Sequence, residues 1–272
     1  MKIKDTSFCK EAIRFIGYGA EMGWHERNAG NVSLRLEKSE REEAEKVICS
    51  KSECEWLLLK VPAPSMASEY VFTTVTGSYF IDMDYEAENN FCICEISADG
   101  KFYRVLYGVH APTSEFSGHL LSLSELKKRN GGRAVYHCHP ANAVALSYLV
   151  SNEKELNTAL WKSETECAFV FPEGVGLVPF YVPGSIELAT ATAEKIKKHN
   201  AVIWSHHGIF ASGDSIKSAF GLAHAIEKSA EIRLKIISSG MKEKSTISND
   251  ELIKSAEFYN MKLDKTLLQD EK

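Results

Sequence analysis

The sequence predicts an α/β fold in which one sheet, not purely parallel, is covered by helices. Segments with strand period alternate along the chain with segments of helical period, without repeats, low-complexity tracts or a Pro/Gly/Ser linker. An Asp99-Gly100 dipeptide sits between two β-rich runs, a hairpin signal that demands an antiparallel pair. The 272 residues, 44% hydrophobic and 25% charged, have ordinary globular composition. At roughly 150 residues per domain the length permits one large core or two small ones, and the absence of a linker favours one domain over residues 1–272.

The elements follow in order. Phe8, Ala12, Ile16 and Ala20 recur every fourth residue and predict an amphipathic helix that stops near Gly23. A polar loop, Glu26-Arg-Asn-Ala-Gly-Asn31, leads into Val32-Ser-Leu-Arg-Leu36, whose alternation predicts a half-buried strand. Charges crowd residues 37–46 without an apolar period, which predicts a solvated surface excursion reaching about residue 55. Residues 71–75 read as a strand closed by Thr76-Gly77-Ser78, and residues 91–97 and 101–107 as the hairpin strands. Pro112-Thr-Ser-Glu115 opens a helix that runs to about Lys128. Residues 133–139 are a strand ended by Pro140, which suits the first position of a helix through Ala145 and Tyr148. Cys167-Ala-Phe-Val-Phe171 predicts a strand. Ser185 N-caps a helix with Glu187 in its first turn and Lys195, Lys197, Lys198 and His199 in its last. Residues 201–204 form a short buried strand before Ser205-His-His-Gly208, a helix runs from about Ser215 to before Gly240, and Ser248-x-x-Glu251 is a capping box.

Composition excludes several function classes. Lys and Arg total 32 against 37 Asp and Glu, a balance of -5, so the chain lacks the basic field that nucleic acids and anionic membranes attract. The N-terminus has no apolar signal core, and no run approaches the roughly 18 apolar residues of a membrane span. A cytoplasmic protein without nucleic-acid or membrane partners is expected. Seven cysteines, an odd number without tight repeated spacing, predict reduced thiols and no structural zinc site.

The histidines point to chemistry. His137 and His139 lie two apart at a strand end, so both imidazoles share a face while Cys138 faces away. Catalytic zinc commonly uses three protein ligands at about 2.0–2.1 Å and keeps one position open. The His206-His207 doublet can supply a third ligand, though spacing leaves open which of the two does so. Glu115 is the carboxylate to attach to such a centre; as a helix-opening residue it also suits plain capping. Thr113 and Ser114 offer hydroxyls and N–H groups at the same helix start. Asn28, Gly30 and Asn31 form one polar loop and Thr76-Gly77-Ser78 another, and the three segments together could hold a phosphate without a lysine.

Taken together, Gly23-Trp-His-Glu-Arg-Asn-Ala-Gly-Asn-Val-Ser-Leu-Arg-Leu36, Val75-Thr-Gly-Ser78, Pro112-Thr-Ser-Glu115, His137-Cys-His139, Thr165-Glu-Cys167, Phe171-Pro-Glu-Gly-Val-Gly176, Trp204-Ser-His-His-Gly208 and Glu227-Lys-Ser-Ala230 resemble the class II aldolase/adducin family over nearly the whole chain. The resemblance implies a three-layer α/β/α fold with a mostly antiparallel central sheet, and a homotetramer. It implies one Zn²⁺ per subunit on His137, His139 and His207, with Glu115 as catalytic acid/base. Asn28, Asn31, Ser78, Thr113 and Ser114 match phosphate-binding positions, and Glu166 matches a glutamate that reaches a neighbouring subunit's site. The implied reaction is zinc-dependent retro-aldol cleavage of a sugar phosphate through an enediolate. L-Rhamnulose 1-phosphate, giving dihydroxyacetone phosphate and L-lactaldehyde, is favoured over L-fuculose 1-phosphate. A sugar-phosphate epimerase and a non-enzymatic adducin-type module are the rival classes. His206 stands where close relatives have a bulky apolar residue, Pro140 follows the His pair, and residues 37–51 match the family poorly.

Overall fold

The computed structural model describes residues 1–268; residues 269–272 and the Asp82 side chain lie outside the description, so the last four positions of the expected 1–272 domain do too. In chain order the elements are α1 (Ser7–Glu21), β1 (Asn31–Arg35), α2 (Lys38–Ala44), β2 (Leu57–Leu58), β3 (Tyr70–Thr74), α3 (Ala87–Asn90), β4 (Phe91–Ile96), β5 (Phe102–Tyr107), α4 (Phe116–Arg129), β6 (Ala134–Cys138), α5 (Ala141–Leu146), α6 (Glu153–Trp161), α7 (Cys167–Val170), β7 (Gly176–Val178), α8 (Ile186–Ile196), β8 (Ala201–Trp204), β9 (Gly208–Gly213), α9 (Ile216–Ser238) and α10 (Asn249–Phe258). Among the described residues nine strands form one sheet, in the order β2-β5-β4-β3-β1-β6-β9-β8-β7. Every neighbouring pair is antiparallel except β7 with β8.

Alternation along the strands divides the core into two layers. Val32, Leu34, Phe72, Tyr136 and Cys138 face the side covered by α1 and α9, where Phe8, Ile16, Phe220 and Ile226 pack. Val71, Val135, Val202, Trp204 and Phe210 face α4 and α8, against Leu120, Leu123, Leu188 and Ile196. The result is a three-layer α/β/α fold with a mostly antiparallel sheet, because both faces of the central strands are apolar enough to need a helical cover.

Three expectations change. β1 is buried on both faces, not one: Ser33, on its polar side, bonds Thr73 Oγ1 at 2.8 Å and His119 Nδ1 of α4 at 2.7 Å. Its alternation separates apolar from hydrogen-bonded polar side chains, not core from water. Within the charged stretch Glu37, Lys38, Ser39 and Glu42 are exposed, yet it is ordered as α2: Ala44 is buried, Glu43 accepts from the Ser7 N–H and hydroxyl, and Arg41 pairs with Glu69. Residues 167–170 form helix α7, not a strand. They bury Cys167, whose thiol donates to Ser229 Oγ, and Ala168, and the Phe169 ring packs on Tyr259. Local β-rich composition yields there to tertiary packing. Among the described residues no helix is long and apolar enough to cross a membrane, and all seven cysteines are free thiols.

α5, which follows the His pair, depends on a distant residue. Pro140 is its N-cap, one position earlier than expected, and has no cap side chain to offer. Glu227 of α9 substitutes: its carboxylate, 8% exposed, accepts from the backbone N–H of Asn142 (3.1 Å) and Ala143 (2.7 Å) and from Asn142 Nδ2 (2.8 Å). Glu227→Ala strands these donors and is expected to cost about 2–3 kcal/mol. Urea denaturation should show a lower midpoint at unchanged slope, and a midpoint equal to the parent's would remove Glu227 from this role.

Candidate active site

The site grows from one strand pair. In the β1–β6 ladder Asn31 lies opposite His137, so both side chains leave the sheet on the α4/α8 face, next to the N-terminus of α4. His139 lies one residue past β6 and returns to the same side. His207 arrives from the β8–β9 turn, in which Trp204 pairs with Gly208 and His206 takes the left-handed conformation (φ 65°). That turn separates the doublet: His206 packs against Tyr148 (ring centroids 4.0 Å, planes inclined at 50°), and His207 joins the pair. The three imidazoles of His137, His139 and His207 have centroids 4.9 Å apart, and one nitrogen from each lies within 4.8 Å of the others. Gly208 permits the approach, since a Cβ there would sit 2.3 Å from Cys138 O and 2.9 Å from the His139 ring. Trp204 backs the cluster, 4.4 Å from His137, with its indole N–H held by Thr192 Oγ1 at 2.9 Å.

The donor set fits a metal ion. His137 Nδ1 faces Ile209 O at 2.9 Å and His139 Nδ1 faces Glu26 Oε1 at 2.8 Å. A carbonyl and a carboxylate only accept, so both rings carry their proton on Nδ1 and direct an Nε2 lone pair forward. These two nitrogens lie 3.2 Å apart, an arrangement that a cation between them satisfies. Burial, then the neighbouring imidazoles, holds His137 well below the usual histidine range, and burial lowers His207 to about 4. Both are neutral, the form that binds metal.

Glu115 is the N-cap of α4, but its side chain caps nothing. It is 7% exposed, accepts from Asn31 Nδ2 at 2.9 Å, and lies 3.7 Å from His137 Nε2. Burial raises its carboxyl to about 7, against the opposing hydrogen bond from Asn31. Asn31 Oδ1 is buried and without a hydrogen-bond partner among the described residues. Thr113 is tied to β3 by its N–H on Thr74 O (2.9 Å), and its hydroxyl faces the Glu115 N–H at 3.4 Å. Ser114 and Asn28 are exposed. The Ser78 hydroxyl donates to the carbonyls of Val75 and Asn90. Beside it, Thr76, Gly77, Asn90 and His110 line a pocket of about 370 Å³. Glu166, the exposed N-cap of α7, has no side-chain hydrogen bond or ion pair to the site among the described residues.

Residues 18–234 match the family model for the class II aldolase and adducin N-terminal domain. The chain belongs to that family. It is a class II aldolase, a carbon–carbon lyase. A rhamnulose-1-phosphate aldolase from Klebsiella pneumoniae is 39% identical over 266 residues, 95% of each chain. One from Yersinia pestis is 39% identical over 245 residues, 88% of each. Among solved structures, a sugar-phosphate aldolase from Thermotoga maritima superposes with a TM-score of 0.75 at 30% identity, covering 88% of this chain and 98% of its own. An L-fuculose 1-phosphate aldolase, TM-score 0.62 at 19% identity over 94% and 97%, shares the fold.

Two residues that touch the imidazole cluster of this class II aldolase, Trp204 and Glu26, are not among the candidates read from the sequence. Trp204 heads a recognised motif and reads as a buried strand residue, yet nothing local announces that its indole lies against the rings of His137 and His207. Glu26 lies inside a recognised motif, two residues before Asn28, yet its contact with His139 spans 113 positions and has no local signature.

Proposed function

We propose that this class II aldolase cleaves L-rhamnulose 1-phosphate to dihydroxyacetone phosphate and L-lactaldehyde, with one zinc ion per subunit on His137, His139 and His207. The geometry that carries this reading is the cluster of three imidazoles with the buried Glu115 carboxyl 3.7 Å from one of them, His137. The 39% identity to a rhamnulose-1-phosphate aldolase over 95% of the chain supports the substrate. When bound, zinc supplies a Lewis acid for the ketone and adjacent hydroxyl oxygens of the ketose.

Glu115 is the acid/base. A carboxyl near 7 can give a proton to carbon and take it back at neutral pH. Asn31 engages Oε2 and so orients the group. Asn28, Asn31, Ser78, Thr113 and Ser114 receive the phosphate, anchoring the substrate at an end that does not react. To donate there, the Ser78 hydroxyl must turn from its two carbonyls. Glu166 serves a neighbouring subunit of a homotetramer, where it handles the proton on the aldehyde-side oxygen. We assign the chain to the cytoplasm, as one domain over 1–272.

The test is product analysis with L-rhamnulose 1-phosphate and L-fuculose 1-phosphate at matched concentrations. The former should release both fragments faster, chelation should stop release, and zinc should restore it. Borohydride added with substrate should trap nothing. A lysine adduct would overturn the metal reading, interconversion of sugars without free fragments would mark an epimerase, and a chain without metal or turnover would be an adducin-type module.

A further inference from the structure

His139 is less enclosed than His137, and its far nitrogen has a different partner. His137 is buried within the ladder, with Ile209 O behind it. His139 has left β6 and is more exposed; its backbone N–H donates to Trp24 O at 2.9 Å, and its ring is gripped from behind by one group, the Glu26 carboxylate. Glu26 is largely solvent-exposed, and an exposed acid on a mobile loop would hold nothing in place. Its loop, however, is fixed from several sides. The buried His25 contacts Tyr136 OH at 2.7 Å through Nε2 and Ala29 O at 3.1 Å through Nδ1. Ala29 N–H closes a turn on Glu26 O at 3.0 Å, and Arg27 is held in the left-handed region (φ 54°). Gly30 lets the loop lie against β6, because a Cβ there would meet His137 O at 2.7 Å. The loop ends at Asn31, which orients Glu115.

We propose that Glu26 is a positioning residue: its carboxylate locks His139 with the proton on Nδ1 and Nε2 forward, so that residues 26–31 set both a metal ligand and the acid/base. This rests on the metal reading above. An acceptor-only partner on the far nitrogen fixes the tautomer and ring angle and raises the basicity of the ligating nitrogen. A lone exposed carboxylate would contribute little as an ion pair; its effect here is orientation, and it is read in metal affinity.

The experiment is chelator competition for zinc on the full chain as parent, Glu26→Gln and Glu26→Ala. Glu26→Ala should bind zinc about 10–100-fold more weakly, with Glu26→Gln between, since its amide oxygen still accepts but carries no charge. In the zinc-loaded parent the His139 Nδ1 proton should be slow to exchange by NMR, and in Glu26→Ala it should exchange with solvent. Zinc affinity of Glu26→Ala within about twofold of the parent, or an unchanged Nδ1 proton, overturns the role. If Glu26→Ala does not fold, the same comparison is made with Glu26→Gln, where equal affinity and equal exchange overturn it. A parent that binds no zinc would instead overturn the metal reading itself, an outcome distinct from a zinc-binding parent indifferent to Glu26.

Discussion

His207→Ala should yield a folded protein that holds no zinc and has lost at least about 10³-fold in kcat/KM, because a Lewis acid contributes several kcal/mol to such a transition state. The position suits the test. His207 is partly exposed in the β8–β9 turn, so its truncation leaves no hole in the core. His137 is 1% exposed and packed against Trp204, so His137→Ala removes the proposed ligand and packing together and confounds the two. The neighbour supplies the control: His206→Ala should retain zinc, since that ring is turned onto Tyr148. Metal content by mass spectrometry, with thermal unfolding of the metal-free forms, decides the outcome. Zinc retained by His207→Ala and lost by His206→Ala would reassign the third ligand.

Glu115→Gln should keep zinc and lose about 10²–10⁴-fold in turnover, the usual contribution of a positioned general acid/base. Solvent deuterium exchange into dihydroxyacetone phosphate isolates the proton step, and exchange at the parent rate would place that role on another group. The same variant has a signature in the metal-free protein. A carboxyl raised from 4.5 to about 7 binds its proton more tightly folded than unfolded. Its stabilising contribution is therefore full below about 4.5 and is lost as pH rises through about 7, on the order of 3 kcal/mol in all. Burial-lowered His137 and His207 act in the opposite sense, gaining stability as pH rises towards the ordinary histidine range, so only the difference between parent and variant is diagnostic. Glu115→Gln should match the parent near pH 4 and exceed it in urea resistance at pH 8. Parallel curves at both pH values would show that Glu115 ionises freely.

Local patterns carried much of this molecule. The Asp99-Gly100 hairpin, the Ser185 cap and the Ser248/Glu251 capping box are realised because each depends on neighbours a few residues away. α6 was legible too: Asn152 caps it through Glu155 N, and Leu156 and Leu160 share its buried face, a signature passed over in a polar stretch. Residues 167–170 were not legible, since the partners they pack against, Ser229 and Tyr259 among them, lie more than 60 positions on in the chain.

For the site, sequence alone determined what a two-residue period can determine: His137 and His139 share a face, and Cys138 lies behind them. It could not choose between His206 and His207 by spacing, because the choice lies in a left-handed turn set by the Trp204–Gly208 pairing. Nor could it say whether Glu115 caps a helix or serves a centre. That depends on Asn31 standing opposite His137 in the ladder and reaching across to the start of α4, 84 positions away. Period and capping are short-range, set by backbone geometry within a turn or two. Convergence is long-range, set by strand register and close glycine contacts, so only the tertiary structure brought residues 26, 31, 115, 137, 139 and 207 to one place.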